Sequence, residues 1–233
     1  MKKFALVISC EHAVDTVPGQ YLPLFASFKP LLASHRGIDF GALTIAEYLT
    51  KQIPSDFIKA TCTRLLIDCN KSINHPRCFS EVTQNLSTEE KQKIMDNYYW
   101  PFRLQTMDII KHHIEHGSQV LHLSVHSFTP ILNGIARNAD IGILYDPQRS
   151  SEKRLASQWR AELKKLAPEY KIRMNYPYKG ISDGFTRMMR KQYTDMEYIG
   201  IELESNQAIT LDNKKIDNLK IILADSLLKL IYS

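Results

Sequence analysis

Phe4-Ala5-Leu6-Val7-Ile8-Ser9-Cys10-Glu11-His12 is a short apolar run that closes on a glutamate and a histidine. Runs of this length, rich in Val, Ile and Leu and bounded by polar residues, read as buried strands. Two later stretches follow the same plan. Val120-Leu121-His122-Leu123-Ser124-Val125-His126 also ends in histidine, and Ile199-Gly200-Ile201-Glu202-Leu203-Glu204 carries two carboxylates. Between them the apolar period changes to helical. Leu43, Ala46, Leu49 and Ile53 run up to Pro54, Leu155, Trp159, Leu163 and Leu166 stop before Pro168, and Ile216, Leu219, Leu223, Leu227 and Leu230 lie near the end. Alternating strands and helices predict a three-layer α/β/α domain.

The remaining segments are placed by the same signals. Phe57 to Asn70 is expected to hold a second strand centred on Leu65, Leu66 and Ile67, and Asp140 to Tyr145 a further one. Ser87-Thr88-Glu89-Glu90 is a capping box. The helix it opens should break or kink at Pro101, then resume through Leu104, Met107, Ile110 and Ile114 to Gly117. Gly184 to Tyr193 reads as a short helix. Asp15 to Pro30 and Ser72 to Asn85 read as long Pro-bearing loops, which in compact domains are often functional.

At 233 residues, 44% hydrophobic and 24% charged, the chain has the make-up of a soluble globular protein. It shows no repeat or linker, so residues 1–233 are expected to form one domain. The net charge of +5 comes from scattered Lys and Arg rather than a basic stripe, which argues against nucleic acid and suits small anionic ligands. Cys10, Cys62, Cys69 and Cys78 form no C-x-x-C pair, and a reducing cytoplasm is the simplest setting. Lys2-Lys3 followed by Phe4 to Cys10 resembles a leader, but the apolar run sits at the lower limit of about 7 residues and lacks an A-x-A site. A first strand is the better account. No apolar run approaches the roughly 20 residues that cross a bilayer, so no membrane partner is expected.

Open α/β sheets put ligands at the carboxyl ends of their strands. Histidines and glutamates delivered there from three distant segments would suit a metal hydrolase. Catalytic zinc usually takes three protein ligands and keeps a position for water. His12 and His126 are the first two candidates, while His122, inside its strand, reads as a core residue. Glu11, Asp15, His35 and Asp39 compete for the third place; Asp39 lies just ahead of a helix, where capping is the alternative role. Glu202 and Glu204 alternate with Ile201 and Leu203 and so share a strand face, and either could serve as general base beside a metal. His112 and His116 share a helix face with Gln105 and Asp108, which reads as solvated. Cys10 with His12 would be a nucleophile and base pair, but Cys10 within its apolar run reads as packing.

Together these segments resemble the N-formylglutamate amidohydrolase family. The matching blocks are Ser9 to Ala13, His35-Arg36-Gly37-Ile38-Asp39-Phe40-Gly41-Ala42, Arg64-Leu65-Leu66-Ile67-Asp68-Cys69-Asn70-Lys71-Ser72, Tyr99 to Arg103, His126 to Pro130, Arg137, Asp140 to Asp146, and Gly200 to Gln207. The resemblance implies a relative of the zinc carboxypeptidase and aspartoacylase group, a zinc-exopeptidase-like fold with a mixed central sheet. It implies His12, Asp39 and His126 as ligands of a divalent metal, zinc first, and Glu202 rather than Glu204 as the catalytic glutamate. Asn70 and Lys71 would clamp a substrate carboxylate. Lys71 stands where arginine is common, and lysine keeps the charge but loses the bidentate fork. Arg64, Arg137 and Arg187 are candidates to bind carboxylates or a developing oxyanion, with Arg137 nearest to a catalytic role. The implied reaction is hydrolysis of N-formyl-L-glutamate to formate and L-glutamate. Another N-acyl amino acid or short peptide as substrate, or a non-catalytic carboxylate-binding protein on the same fold, are the alternatives.

Overall fold

The computed structural model describes residues 4–232; Lys2 and Lys3, which begin the leader-like stretch, lie outside them. Among the described residues eight strands form, β1 (Phe4–Cys10), β2 (Asp56–Lys59), β3 (Gln119–Phe128), β4 (Ile131–Leu132), β5 (Ile135–Ala136), β6 (Ile141–Leu144), β7 (Ile172–Met174) and β8 (Tyr198–Asn206). The helices are α1 (Lys29–Leu32), α2 (Ala42–Gln52), α3 (Thr88–Ile94), α4 (Trp100–Glu115), α5 (Ser150–Leu166), α6 (Phe185–Arg190), α7 (Gln207–Thr210) and α8 (Asn213–Tyr232). Six strands make one sheet in the order β2-β1-β3-β8-β6-β7, and β4 and β5 pair as a separate small hairpin. β2, β1, β3 and β8 are mutually parallel, whereas β6 runs antiparallel to β8 and carries β7 alongside it. The sheet is therefore mixed, with helices on both faces. No helix among the described residues is long and apolar enough to cross a membrane.

Strand alternation decides what each face carries. Leu6, Ile8 and Cys10 of β1, Leu121, Leu123 and Val125 of β3, and Ile199, Ile201 and Leu203 of β8 all enter one core with residues of α2, α5 and α8. Their neighbours point the other way. Val7, Val120 and Tyr198 meet Phe102 and Ile110 of α4 and Phe185 and Met189 of α6. On that second face lie His122, Ser124, His126, Glu202 and Glu204. Parallel register sets Ser124 opposite Glu202 and His126 opposite Glu204. The strands thus supply a dry core on one side and a polar row on the other.

Three expectations from sequence need correction. Leu65, Leu66 and Ile67 are not the centre of a strand; the strand is the four-residue edge β2, and the chain then turns away. The triplet is buried instead with Tyr21, Phe25, Cys78, Ile94 and Tyr99 in a third core beneath the loops. An apolar run alone does not say which kind of buried segment it forms. Asp15 to Pro30 is less irregular than expected, since Gly19–Phe28 is 3-10 helical and sends Tyr21 and Phe25 into that third core. Pro101 does not interrupt the helical path. A π turn, Met95–Tyr99, joins α3 to α4, which places Pro101 in the first turn of α4, where a missing N–H costs little. Ser87 caps α3 as its spacing predicted, accepting from Glu90 N at 3.2 Å.

The third core holds Asp68, which directly follows the apolar triplet. Leu66 is fully buried there. Leu66→Ala should destabilise the fold by about 2–5 kcal/mol, the usual cost of a buried leucine cavity, read as a lower midpoint in urea unfolding. Unchanged stability would mean that this loop core does not contribute to cooperative unfolding.

Candidate active site

His12 follows β1 by two residues and His126 lies near the carboxyl end of β3, the neighbouring strand. Asp39 arrives from the loop before α2. That loop is tied down by Asp39 N donating to His12 O at 3.1 Å and Thr63 Oγ1 donating to Gly37 O at 2.9 Å. Gly41 ends it with a φ of 77°, and a Cβ there would stand 2.6 Å from Thr210 Cβ, so only glycine fits between loop and α7. Asp39 makes no side-chain cap on α2, which disposes of its alternative role.

Its carboxylate is spent inward. Oδ2 lies 2.9 Å from His126 Nδ1 and 3.2 Å from His12 Nδ1, and Arg64 donates to Oδ1 at 3.2 Å. The two imidazole centroids are 4.9 Å apart. On its other side His12 Nε2 is 2.8 Å from Asp68 Oδ1, and Arg64 donates to Asp68 Oδ2 at 2.9 Å. Ligand atoms of His12, Asp39 and His126 all fall within 4.8 Å of one another, in a buried setting. This donor set fits a divalent cation. Asp68 is an ionised acceptor, so His12 gives it the Nε2 proton, which leaves the Nδ1 lone pair facing Asp39. Two imidazoles and one carboxylate converging in this way repel each other unless a proton or a cation sits among them. Two nitrogens and one oxygen are the ligand chemistry of zinc.

The electrostatics agree. Burial opposes ionisation of Asp39, but His12, His126 and Arg64 outweigh it and hold the carboxyl far below its ordinary range. Burial also works against a charged His126, yet Asp39 and Glu11 lift it to about 10. Glu204 moves the other way. Its burial, reinforced by Asp39 and Glu202, pushes it up to about 8 although His126 pulls it down, and its Oε2 has no hydrogen-bond partner.

A cleft of about 850 Å³ opens over the cluster. His12, Asp39, His126, Arg64, Asp68, Asn70, Lys71, Glu202 and Glu204 all reach its wall, as do His35 and Tyr178. Thr186 of α6 donates to Glu202 Oε1 at 2.5 Å, so the Glu202 carboxylate is aimed rather than free to swing. Asn70 is fixed by Phe185 N donating to its Oδ1 at 2.7 Å. Lys71 Nζ donates to Asp183 O at 3.0 Å. Arg137 is not on the cleft wall; it lies behind it against Tyr178, 5.0 Å from the ring centre, with its Nη1 buried and without a hydrogen-bond partner. Arg187 is not brought to the cluster: it is exposed on α6 and does not line the cleft, so its expected part in substrate binding gains nothing from its position.

The other candidates separate cleanly. Glu11 is fully buried and accepts from Ser9 and Ser124, outside the cleft wall. Asp15 is exposed and away from the cluster. His35 lines the cleft, with its imidazole pushed down by burial and by Arg36 and Arg137. His112 and His116 are exposed on α4, as their helix face predicted. Burial drives the Cys10 thiol well above its ordinary value, which removes it as a thiolate nucleophile. Sequence reasoning singled out neither Asp68, Thr186 nor Tyr178. Asp68 sits inside the Arg64 to Ser72 block and could have been suspected, whereas Thr186 and Tyr178 carry no local signal.

A mixed sheet with this cluster at the carboxyl ends of its parallel strands suits a hydrolase, and likeness to known proteins shows one that acts on amide bonds. The chain belongs to the N-formylglutamate amidohydrolase family, whose model matches residues 4–210. Among solved structures it is similar to a gene product from Agrobacterium tumefaciens, with a TM-score of 0.81 and 25% identity over 98% of this chain and 92% of that one. It is also similar to N-formylglutamate amidohydrolase from Ralstonia eutropha, with a TM-score of 0.79 over 100% of this chain and 94% of that one. At 17% identity the second likeness is one of fold. No curated protein matches the chain in sequence.

His122 is fully buried, with Nε2 2.7 Å from Ser9 Oγ and Nδ1 2.7 Å from the Tyr198 hydroxyl, the core role expected of it. Burial pushes its imidazole from 6.5 down to about 4. The unfolded chain thus takes up a proton that the folded one refuses. Stability owed to the neutral ring is complete above pH 6.5 and is lost as pH falls toward 4. His122→Gln cannot take up that proton. Between about pH 7 and about pH 4.5 the wild type should lose more unfolding free energy than this variant, and equal losses in urea titrations would count against a neutral His122.

Proposed function

We propose that residues 1–233 act as one metal-dependent amidohydrolase domain that converts N-formyl-L-glutamate and water to formate and L-glutamate. The observation that carries this is the convergence of His12 Nδ1, His126 Nδ1 and Asp39 Oδ2 at the floor of a cleft walled by Glu202. His12, Asp39 and His126 would hold a divalent cation, zinc by the chemistry of the donors. When bound, such an ion activates water and polarises an acyl oxygen.

The chain's own groups do the rest. Glu202 Oε1 is held by Thr186, and Oε2 takes no hydrogen bond among the described residues. Glu202 would accept the proton of the attacking water and pass it to the amine nitrogen as the C–N bond breaks. Arg137, set behind Tyr178 at the cleft wall, would add positive charge toward the oxyanion or a substrate carboxylate. Asn70 and Lys71 would meet a carboxylate at the other side of the cleft. Arg64 is committed to Asp39 and Asp68, so its part is to hold those carboxylates in place and to add positive charge. Arg187 has no part in this scheme. The free, buried cysteines suit the reducing cytoplasm in which such an enzyme would work.

A second substrate class is favoured by size. The cleft of about 850 Å³ falls within the roughly 300–1,000 Å³ range that encloses drug-sized ligands, and its outer wall adds His75, Arg77 and Lys179. A longer N-acyl acidic amino acid or a short acidic peptide would use that space. Lys71, lacking the arginine fork, relaxes the demand for one carboxylate geometry.

Metal content and formate release from N-formyl-L-glutamate test the main reading. The purified protein should carry close to one zinc, lose activity to a chelator and regain it on metal return. His126→Ala should abolish both metal and turnover, and normal metal content in it would remove His126 as a ligand. Glu202→Gln should keep its metal while kcat falls about 10²–10⁴-fold. Undiminished turnover there would remove Glu202 as base. A panel of N-acyl amino acids separates the two substrate classes by kcat/KM, and ligand binding without turnover on any member would point to the non-catalytic alternative.

A further inference from the structure

His126 has a second nitrogen, and what lies behind it is unusually ordered. The Tyr198 hydroxyl is 2.7 Å from His122 Nδ1, His122 Nε2 is 2.7 Å from Ser9 Oγ, and Ser9 donates to Glu11 Oε1 at 2.7 Å. From the other direction, Ser124 donates to Glu11 Oε2 at 2.8 Å and stands 2.8 Å from His126 Nε2. Glu11 itself is 3.4 Å from that nitrogen, and Asn70 Nδ2 comes only to 3.5 Å from it, at the limit of a hydrogen bond, against 2.8 Å for Ser124. Every member of this chain is buried.

The proton directions follow from the chemistry of the groups. An ionised carboxylate only accepts, and a hydroxyl has one proton to give. Because Ser9 and Ser124 give theirs to Glu11, their oxygens are left to accept from the imidazoles. His122 Nε2 and His126 Nε2 are then the donors, and the Tyr198 hydroxyl donates to His122 Nδ1. Glu11 is the sink toward which the whole chain points. It stands on the Nε2 side of His126, off the cleft and outside the His12, Asp39 and His126 group, so it is not placed as a ligand, although its position beside His12 in sequence suggested that role. His12 is treated in the same way by a different residue. Its Nε2 is 2.8 Å from Asp68 Oδ1, and Asp68 is held by Arg64.

We propose that Glu11 and Asp68 are positioning residues that fix His126 and His12 as their Nε2–H tautomers, so that both rings present Nδ1 to a cation shared with Asp39. The inference rests on the metal reading given above, in which both rings face Asp39 through Nδ1, and adds the residues that enforce that choice of nitrogen. Carboxylates placed behind ligating histidines typically alter metal affinity 10–100-fold when removed.

The test uses the full chain with 15N-labelled histidine, loaded with zinc. Long-range 1H–15N spectra should show His12 and His126 protonated at Nε2 and bound through Nδ1. By competition with a chromophoric chelator, zinc affinity should fall about 10–100-fold in Glu11→Gln and in Asp68→Asn. Ser124→Ala leaves the Glu11 charge in place but cuts its link to His126; it should weaken zinc by about 10-fold and stands in if Glu11→Gln does not fold. A loss of packing alone would lower thermal stability without changing the tautomer pattern. Zinc bound through Nε2 of either ring, or unchanged zinc affinity across the three variants, overturns the inference and leaves the metal reading standing. A wild-type protein that takes up no zinc overturns both.

Discussion

One buried carboxylate, Asp39, organises the site. It receives His12, His126 and Arg64 at once, and each of these is in turn held by something else. Carboxylates this deep in a protein are tolerated only when paired and hydrogen-bonded. Glu11, Asp68, Glu202 and Glu204 crowd the same region, and two imidazoles, the Arg64 guanidinium and the Lys71 ammonium stand among them. Burial, reinforced by Asp39 and Glu202, pushes Glu204 upward. A divalent cation held by His12, Asp39 and His126 would lower the cost of keeping these carboxylates ionised in a buried site.

Support for Asp39 comes from parts of the chain that look unrelated to chemistry. Gly41 lets α2 begin against α7, and the third core beneath the loops sets Asp68 behind His12. Arg103 of α4 is buried and donates to the carbonyls of Lys71 at 2.6 Å and Cys69 at 3.4 Å, flanking Asn70. That arginine stacks between the rings of Tyr99 and Phe185, 4.9 Å and 4.6 Å from their centres. The cleft wall is thus fastened to helices on the same sheet face.

Much of this was legible in the sequence, for identifiable reasons. β1, β3 and β8 announce themselves because each is an apolar run with a polar residue of fixed parity, and α2, α5 and α8 because their apolar spacing is helical. His12, Asp39 and His126 could be named since two close apolar runs and the third lies in a block that resembles the family. What stayed hidden depends on contacts made at long range. Leu65 to Ile67 look like a strand because burial by loops leaves the same trace as burial in a sheet. Tyr178 is an ordinary residue until the segment after β7 brings it to the cleft wall, and Thr186 until α6 sets it against Glu202. Glu11 was visible, but whether it binds a metal or backs a ligand turns on which oxygens the serines occupy.

β3 and β8 can each be viewed as two interleaved messages. Residues 121, 123 and 125 and residues 199, 201 and 203 fill the core with α2, α5 and α8, while 122, 124 and 126 and 202 and 204 carry the polar work. Because the period is two, a slip of one residue would exchange the messages, sending imidazoles and carboxylates into the oil and leucines into the cleft. Inserting or deleting a single residue early in either strand therefore offers no intermediate outcome. For these strands, misalignment of the fold and loss of the chemistry are one event, so selection for a stable sheet also protects the active-site register.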